Sequence, residues 1–308
     1  MTETVQKILV TGSSGTIGTR LCEKLLEEGY DVQGIDWKHN KWNKEIDERT
    51  VQCDLRDTRR LEKISGEADM LIHLAANARV YNLVVDPSLA RDNIETAFNV
   101  LEFARRRGIQ NALFASSREV YGNTKESVHA EHEINITLSA SPYTASKIAA
   151  EAMVHAWRQC YGMNFIILRF SQVYGMYDGS DRLIPLFVSL AKRNKDLTIW
   201  GREKVLDFTY IDDCVSGITK AVENFEKNKN ETFNIASGKG ISIGKVAQLI
   251  KKYTRSTSKV VVKKNRIGEV VKFTADISKA RKKLGYEPRV PIQEGIRKTV
   301  EWYDKNFQ

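Results

Sequence analysis

The sequence has few residues of the kinds that mark disulfide-rich, fibrous or membrane proteins. Its 308 residues include 4 cysteines and 5 prolines. Cys22, Cys53, Cys160 and Cys214 are far apart and form no CxxC pair, which argues against a disulfide framework and a metal site. No apolar run approaches the roughly 18 residues of a membrane span, and Met1–Lys7 has no apolar signal core. These absences predict a soluble, cytoplasmic protein with no metal ion and no membrane partner.

Positive charge is in excess, and it lies toward the C-terminus. The net charge is +9; residues 239–308 hold 18 Lys and Arg against 6 Asp and Glu, whereas residues 1–238 hold 30 against 33. Such an excess is compatible with binding to nucleic acid, an acidic membrane surface or a phosphorylated small molecule. No nucleic-acid-binding motif accompanies it. We therefore expect most of these side chains to be solvated, and no nucleic-acid partner.

Short apolar segments alternate with helical patterns over the first 170 residues. Strands are predicted at Lys7–Thr11, Asp31–Asp36, Val51–Asp54, Met70–Ala75, Ala112–Ser116 and Phe165–Leu168. Helices are predicted from a glycine-rich turn to about Glu28, and at Asn93–Arg107 and Tyr143–Tyr161. Strands that alternate with helices of about 12 or more residues imply a parallel sheet covered on both faces. The predicted fold class is α/β, with a doubly wound parallel sheet.

A glycine-rich turn, GSSGTIG, follows the first predicted strand and contains Gly12, Gly15 and Gly18. In doubly wound folds such a turn lets the backbone approach a pyrophosphate at a helix N-terminus. Asp36 lies 18 residues after Gly18, at the end of the second strand, where a carboxylate can accept hydrogen bonds from an adenosine ribose. The same carboxylate would repel a 2′-phosphate. The pattern predicts NAD rather than NADP, although Lys38 and His39 weaken that preference and a plain structural turn is the alternative.

Tyr143 and Lys147 are four residues apart in SPYTASK, so both side chains lie on one face of the predicted helix. A nearby ammonium favours the phenolate and can lower the pKa of a tyrosine. Tyr143 would then be a general base toward a substrate hydroxyl, while hydride leaves the same carbon for NAD. The rival classes are a non-catalytic dinucleotide sensor on the same fold, a nucleic-acid-binding protein and a reductase that uses NADPH.

These motifs together resemble the extended short-chain dehydrogenases, in particular the NAD-dependent nucleotide-sugar epimerase/dehydratase branch to which UDP-glucose 4-epimerases belong. The resemblance spans nearly the whole chain. It is carried by GSSGTIG, Asp36, Asp54–Leu55, LAA at Leu74–Ala76, Asn93, SSREVYG at Ser116–Gly122, YTASK, LRFSQVYG, LTIWG, DFTYIDD, FNIASG and the segment Arg266–Pro288.

The resemblance implies roles for individual residues. Tyr143 would be the base, Lys147 would hold the nicotinamide ribose and lower the pKa of Tyr143, and Ser117 would hydrogen-bond the reacting hydroxyl. Oxidation at the sugar C4 would give a 4-keto intermediate. The implied NAD-binding residues are Gly12, Gly15, Thr16, Ile17, Gly18, Asp36, Asp54, Leu55, Ala75, Ala76, Asn93, Tyr143 and Lys147.

The resemblance also implies a Rossmann domain and a smaller, discontinuous C-terminal substrate domain. Residues 1–171 would bind NAD, the chain would return to that domain at about 207–237, and residues 172–206 and 238–308 would bind the nucleotide sugar, with a UDP-sugar expected. A homodimer is implied, formed through the helices at Asn93–Arg107 and Tyr143–Tyr161.

The predicted substrate-binding positions follow the family pattern at one residue and depart from it at two others. Arg266 matches the arginine that contacts the diphosphate, which suits bidentate phosphate binding. Gln172, however, stands where the family usually has Asn, and Leu206 where it has Arg. We expect Lys204 or Arg202 to compensate. Trp200 could stack on the nucleotide base or lie in the core.

The two residues after Ser117 decide which reaction the family pattern implies. Related dehydratases have Asp and Glu there, decarboxylases have Ser and Glu, and most 4-epimerases have small or neutral residues; this chain has Arg118 and Glu119. Glu119 stands where a proton-abstracting base would be, but Arg118 does not give up its proton and cannot be the acid. Arg118 could hold a carboxylate or phosphate of the substrate, and Glu119 could simply pair with it. A UDP-hexose or UDP-uronate 4-epimerase is the favoured prediction, with a dehydratase or decarboxylase as the alternative.

Overall fold

The computed structural model describes residues 6–64, 67–124, 126 and 128–307. Five of the seven residues of the N-terminal segment Met1–Lys7 therefore lie outside the described residues. The strands are β1 Lys7–Thr11, β2 Asp31–Asp36, β3 Thr50–Gln52, β4 Met70–His73, β5 Asn111–Ser117, β6 Val128–His129, β7 Asn164–Phe170, β8 Gln172–Tyr174, β9 Leu197–Trp200, β10 Val205–Tyr210, β11 Glu231–Ile235, β12 Gly240–Ser242, β13 Val260–Lys263 and β14 Thr274–Ala275. The helices are α1 Thr16–Glu27, α2 Lys44–Glu48, α3 Thr58–Leu61, α4 Val80–Val85, α5 Ser88–Arg106, α6 Pro142–Tyr161, α7 Leu183–Lys192, α8 Ile211–Glu223, α9 Phe225–Asn228, α10 Ile243–Thr254, α11 Ser278–Leu284 and α12 Ile292–Asn306, with 3-10 turns at Arg118–Tyr121 and Ile136–Leu138. Within those ranges no helix is long and apolar enough to cross a membrane.

Seven strands form one sheet in the order β11-β7-β5-β4-β1-β2-β3, and every neighbouring pair is parallel. The order reverses at β1, because β2 and β3 lie on one side of it and β4, β5, β7 and β11 on the other. Ligands of such sheets bind beyond the carboxyl ends of the strands at this reversal point. The predicted doubly wound α/β fold is therefore confirmed.

Both faces of the sheet are buried, because successive strand residues point to opposite sides. Ile8 of β1 belongs to one hydrophobic core together with Leu21 of α1. The next residue, Leu9, belongs to the second core, with Val100 of α5 and Val154 of α6. Helices thus cover both faces and leave the carboxyl edge of the sheet as the place for ligands.

The predicted strands are found, but two of them end earlier than the sequence indicated. β3 stops at Gln52 because its neighbour β2 ends at Asp36. The Asp36 carbonyl accepts the hydrogen bond of the Cys53 amide, and β2 offers no partner beyond it. β4 stops at His73 in the same way, where its neighbour β1 ends. Helix α5 starts earlier than predicted, directly after Pro87, a residue that fits the first turn of a helix.

After β7 the chain leaves the large sheet. β8 pairs with β10, which also pairs with β12 in an antiparallel manner. Two further parallel pairs, β9 with β13 and β6 with β14, bring the C-terminal segment against earlier parts of the chain. The chain returns to the large sheet with β11, which pairs with β7 at the sheet edge. Phe273, the residue before β14, lies against Arg118, which directly follows β5.

Candidate active site

The glycine-rich turn lies at the reversal point of the sheet. Gly12 has a φ of +77°, and its amide donates to the carbonyl of Ile35 at 2.8 Å. A Cβ on Gly12 would lie 2.8 Å from the backbone nitrogen of Ala75, and one on Gly18 would lie 2.0 Å from the Gly12 carbonyl oxygen. Glycine is therefore required at both positions, and the turn lies directly against the loop after β4.

Asp36 is held at the end of β2 by the turn. Its carboxylate accepts the amide of Ser14 at 3.1 Å and that of Lys38 at 2.9 Å, and burial raises its pKa. Gly15 precedes α1 without a side-chain cap, and the Ser14 hydroxyl oxygen is buried with no partner among the described residues. A helix N-terminus without a side-chain cap and an unpartnered hydroxyl, beside a carboxylate at a strand end, fit a dinucleotide.

Thr16 and Ile17 form the first turn of α1, and the Thr16 hydroxyl donates to the carbonyl of Tyr177 at 3.1 Å. Ile17 is partly buried against the core. Ala75 and Ala76 are partly buried in the loop after β4. These four residues border the space beyond β1 and β4.

Two other predicted cofactor residues have polar partners within the protein. Asp54 is paired with Arg56 at 2.7 Å, a hydrogen bond that lowers its pKa. Asn93 accepts the amide of Asn77 at 2.7 Å and donates to its carbonyl at 3.0 Å. Leu55, next to Asp54, is buried. Asn93 thus fixes the loop that follows β4, a role that sequence reasoning did not assign to it.

Ser117, Tyr143 and Lys147 meet at the carboxyl end of β5. Ser117 is the last residue of β5, and Tyr143 lies in the first turn of α6, which Ser141 caps through the Thr144 amide. The Lys147 ammonium donates to the carbonyl of Ala115 at 2.9 Å and lies 6.0 Å from the centroid of the Tyr143 ring. These three side chains are buried, and so is that of Glu119, the fourth residue predicted to be catalytic.

Burial dominates the ionisation of this group. It raises the pKa of Tyr143, and the nearby Ser117 hydroxyl opposes that effect. Burial lowers the pKa of Lys147 to about 8, with the Glu151 carboxylate opposing it. The spacing of the two residues predicts that Lys147 lowers the pKa of Tyr143. In the structure the larger effect on that pKa is the loss of hydration, because the phenol is buried and the Lys147 ammonium is hydrogen-bonded to a backbone carbonyl.

A buried polar network supports this site, and sequence reasoning missed it. Glu151, one turn after Lys147, pairs with Arg169 at 2.8 Å, and Arg169 also donates to the hydroxyl of Tyr121 at 3.1 Å. Tyr121 in turn donates to Asn234 of β11 at 2.6 Å. The signal in the sequence was a single arginine within the otherwise apolar strand NFIILRF. The network ties α6, β7 and β11 together beneath the end of β5.

Arg118 and Glu119 follow Ser117 in a 3-10 turn and form an ion pair of 2.7 Å. Both side chains are more than nine-tenths buried. Burial raises the pKa of Glu119, and the Arg118 guanidinium opposes that effect. The pairing that the sequence analysis weighed as an alternative is therefore present.

Arg118 lies directly after β5, whereas the other predicted substrate residues, Gln172, Trp200 and Arg266, follow β7 in the chain. The Arg266 guanidinium lies 4.6 Å from the ring centroid of Tyr81 and 4.6 Å from that of Trp200. Gln172 is partly buried at the start of β8. Lys204 is buried in an ion pair with Glu269, so it is not available to compensate for Leu206 as expected.

Residues 8–236 match the family model described as the NAD dependent epimerase/dehydratase family. The chain belongs to this family. The predicted cofactor, NAD, is confirmed by membership of this NAD-dependent epimerase/dehydratase family. Among the residues that the structure covers, no group of three or more His, Cys, Asp or Glu is placed to hold a metal ion.

Relatives within the epimerase/dehydratase family are similar over almost the full length. A putative UDP-glucose 4-epimerase of Methanocaldococcus jannaschii is 34% identical over 97% of this chain and 99% of its own. The crystal structure of a UDP-glucose 4-epimerase of Thermotoga maritima with UDP-glucose has a TM-score of 0.89 and 31% identity, over 98% of this chain and 100% of that one. A UDP-glucuronic acid 4-epimerase of Bacillus cereus, in complex with UDP-glucuronic acid and NAD, has a TM-score of 0.88 and 28% identity, over 98% and 100%.

Proposed function

We propose that this protein is an NAD-dependent 4-epimerase of a UDP-hexose or UDP-uronate. The observation that carries the proposal is the meeting of Ser117, Tyr143 and Lys147 at the carboxyl end of β5, two strands away from β1, which the glycine-rich turn follows. The similarity to 4-epimerases that bind UDP-glucose or UDP-glucuronic acid supports the choice of substrate class.

We assign NAD to the space beyond β1 and β4. The fit rests on the close approach of the turn to Ala75, the unpartnered Ser14 hydroxyl and the Asp36 carboxylate. When bound, NAD supplies an acceptor and donor of hydride at C4 of the sugar. The residues proposed to hold it are Gly12, Gly15, Thr16, Ile17, Gly18, Asp36, Asp54, Leu55, Ala75, Ala76, Asn93, Tyr143 and Lys147.

The chain's own residues handle the proton of the C4 hydroxyl. Tyr143 accepts it at the phenol oxygen and returns it, Ser117 orients the hydroxyl by a hydrogen bond, and Lys147 stabilises the phenolate. Since burial raises the pKa of Tyr143, the positive charge of Lys147 is needed to make the phenolate accessible. The depth of the site also keeps water away from a keto sugar.

The nucleotide sugar would lie between the large sheet and a lobe made of residues 172–206 and 238–308. Arg266 is proposed to bind the diphosphate. Its position between Tyr81 and Trp200 supports this, since stacking on two rings fixes the orientation of the guanidinium. Trp200 and Gln172 are proposed to contact the nucleotide and the diphosphate.

The test is to incubate the purified protein with UDP-glucose, UDP-N-acetylglucosamine and UDP-glucuronate in deuterated water and to identify the products by NMR and mass spectrometry. The expected product is inverted at C4 and carries no deuterium. Tyr143→Phe should lower kcat by at least about a hundredfold. Tyr253→Phe, a change far from β5, is the matched control and should retain activity. Full activity of Tyr143→Phe would remove that residue from the reaction.

A second candidate is a lyase in which Glu119 removes the C5 proton. It is favoured by the burial of Glu119, two residues after Ser117, and by its raised pKa, both of which suit a base. The ion pair with Arg118 favours the epimerase, because Arg118 offers no proton to a leaving hydroxyl. Deuterium at C5, or loss of water or carbon dioxide, would establish the lyase.

We also propose a homodimer formed through α5 and α6. The exposed faces of these helices carry Ile94, Phe98 and Tyr161, and Phe98 packs edge-to-face on Trp157 with ring centroids 5.5 Å apart. Exposed apolar side chains in one patch are typical of an interface. Light scattering should give the mass of a dimer, and Phe98→Glu should give a monomer; a monomeric wild-type protein would refute this.

The cysteines support a cytoplasmic location. The four thiols are free, and those of Cys22, Cys53 and Cys214 are buried. Free thiols persist in a reducing compartment, and a periplasmic or secreted location on cell fractionation would contradict the assignment.

A further inference from the structure

The Arg118–Glu119 pair lies between the proposed catalytic residues and the C-terminal segment. It directly follows Ser117, and the Arg118 guanidinium carbon lies 5.6 Å from the ring centroid of Phe273. The Glu119 carboxylate is close enough to Glu269 and Lys204 for their charges to affect its pKa. The pair therefore borders the space where the proposed function places the sugar.

The pair has unused hydrogen-bonding capacity. One guanidinium nitrogen, Nη2 of Arg118, lies 2.7 Å from Oε1 of Glu119. Nη1 of Arg118 and Oε2 of Glu119 are buried and form no hydrogen bond within the described part of the chain, although the Val270 amide is close enough to Glu119 to oppose the rise of its pKa. Buried polar atoms are almost always satisfied by protein, water or ligand, because leaving them unpaired is costly. One buried donor and one buried acceptor thus remain without a hydrogen bond, one and two residues after Ser117.

The net charge of the Arg118–Glu119 pair determines which kind of substrate group can bind to it. Glu119 neutralises Arg118, and the neighbouring Lys204 is likewise neutralised by Glu269. A hydroxyl or a secondary amide both accepts and donates a hydrogen bond, so it suits a donor such as Nη1 and an acceptor such as Oε2. A carboxylate only accepts, and it would place a second negative charge beside the buried Glu119, which is unfavourable at low dielectric.

We propose that Arg118 and Glu119 are specificity-determining residues that select a nucleotide sugar with an uncharged hydroxyl or acylamino substituent at this position over a nucleotide uronate. This inference rests on the proposed 4-epimerase function and narrows its substrate class. It assigns to the two residues after Ser117 a role in recognition rather than in proton transfer.

The test compares kcat/KM for UDP-glucose, UDP-N-acetylglucosamine and UDP-glucuronate. The wild-type protein should favour at least one of the two neutral sugars over the uronate by at least tenfold. Glu119→Gln keeps the shape of the side chain, removes its charge, frees that of Arg118 and adds an N–H donor. It should shift the ratio toward the uronate by at least tenfold. Because the ratio is measured within one variant, partial loss of folded protein does not affect it.

Glu287→Gln is the matched control, since Glu287 forms an exposed ion pair with Arg281 at 2.8 Å; its ratio should equal that of the wild type. A wild-type preference for the uronate, or a ratio in Glu119→Gln within twofold of the wild-type value, would overturn the inference. If Glu119→Gln does not fold, binding of UDP-glucose and UDP-glucuronate to the wild-type protein by calorimetry decides by the same tenfold criterion. Failure of the proposed function is a different result: none of the three sugars would be inverted at C4.

Discussion

Replacement of Lys147 by methionine should change how the stability of the protein depends on pH. The lysine side chain is 7% exposed and donates to the Ala115 carbonyl within the sheet. Burial lowers its pKa from 10.5 to about 8. Between those values an unfolded chain binds a proton at this residue that the folded chain has already released. The free energy of unfolding of the wild type should therefore rise with pH relative to Lys147→Met.

The size of the effect follows from the pKa. One pH unit of difference corresponds to about 1.4 kcal/mol, so the full change is about 3 kcal/mol. It is present in full above pH 10.5 and is lost as the pH falls through about 8. Between pH 7 and pH 10, the wild type should gain about 2 kcal/mol relative to the variant. The lost hydrogen bond to Ala115 affects the variant equally at both pH values and cancels in this difference.

The assay is urea unfolding followed by tryptophan fluorescence, at pH 7 and at pH 10, for the wild type and Lys147→Met without cofactor. Lys245→Met is the matched control, because Lys245 is an exposed lysine of α10, and its stability should run parallel to that of the wild type. Parallel profiles for Lys147→Met as well would show that the ammonium remains hydrated and would refute the reasoning from burial.

Three other changes test the turn, the buried network and the cofactor preference. Gly18→Ala should lower the melting temperature by at least about 5 °C, because the added Cβ would lie 2.0 Å from a backbone oxygen. Gly244→Ala is the control and should leave the melting temperature unchanged, since its Cβ would have no atom nearer than 4.0 Å. Equal changes in the two variants would show that the Cβ at position 18 meets no close contact. Arg169→Met should cost about 3–5 kcal/mol in urea unfolding because it leaves the buried Glu151 unpaired, and a cost below about 1 kcal/mol would argue against the ion pair. Asp36→Ser should raise the affinity for NADP relative to NAD by about tenfold or more in calorimetric titration, and an unchanged ratio would remove Asp36 from cofactor selection.

The large sheet was predictable because its strands are apolar segments that helices separate. β2 has the bounds Asp31–Asp36 that the sequence indicated, and α6 begins one residue before Tyr143. The ends of β3 and β4 were not predictable, since they depend on where the neighbouring strand stops. The small sheets were also beyond the pattern, because β6, β8, β12 and β14 have two or three residues each and depend on distant partners.

The candidate site was predictable as far as side chains close in sequence determine it. The four-residue spacing of Tyr143 and Lys147 and the turn before α1 could be read directly from the chain. The ionisation of Tyr143 could not, because desolvation depends on everything packed around the phenol. Lys204 shows the same limit: it appeared to be a spare cation, and its partner Glu269 lies 65 residues further along the chain.

The position of β11 has a consequence for synthesis of the chain on the ribosome. β7 ends at Phe170, and its partner strand at the sheet edge begins at Glu231, about 60 residues later. At about 5–20 residues per second, the ribosome needs about 3–12 s to supply that partner. During this time the apolar strand β7 presents an open edge, which in other sheets invites pairing with a second chain. Slower translation between these two strands should therefore increase aggregation of the nascent protein more than slower translation after β11.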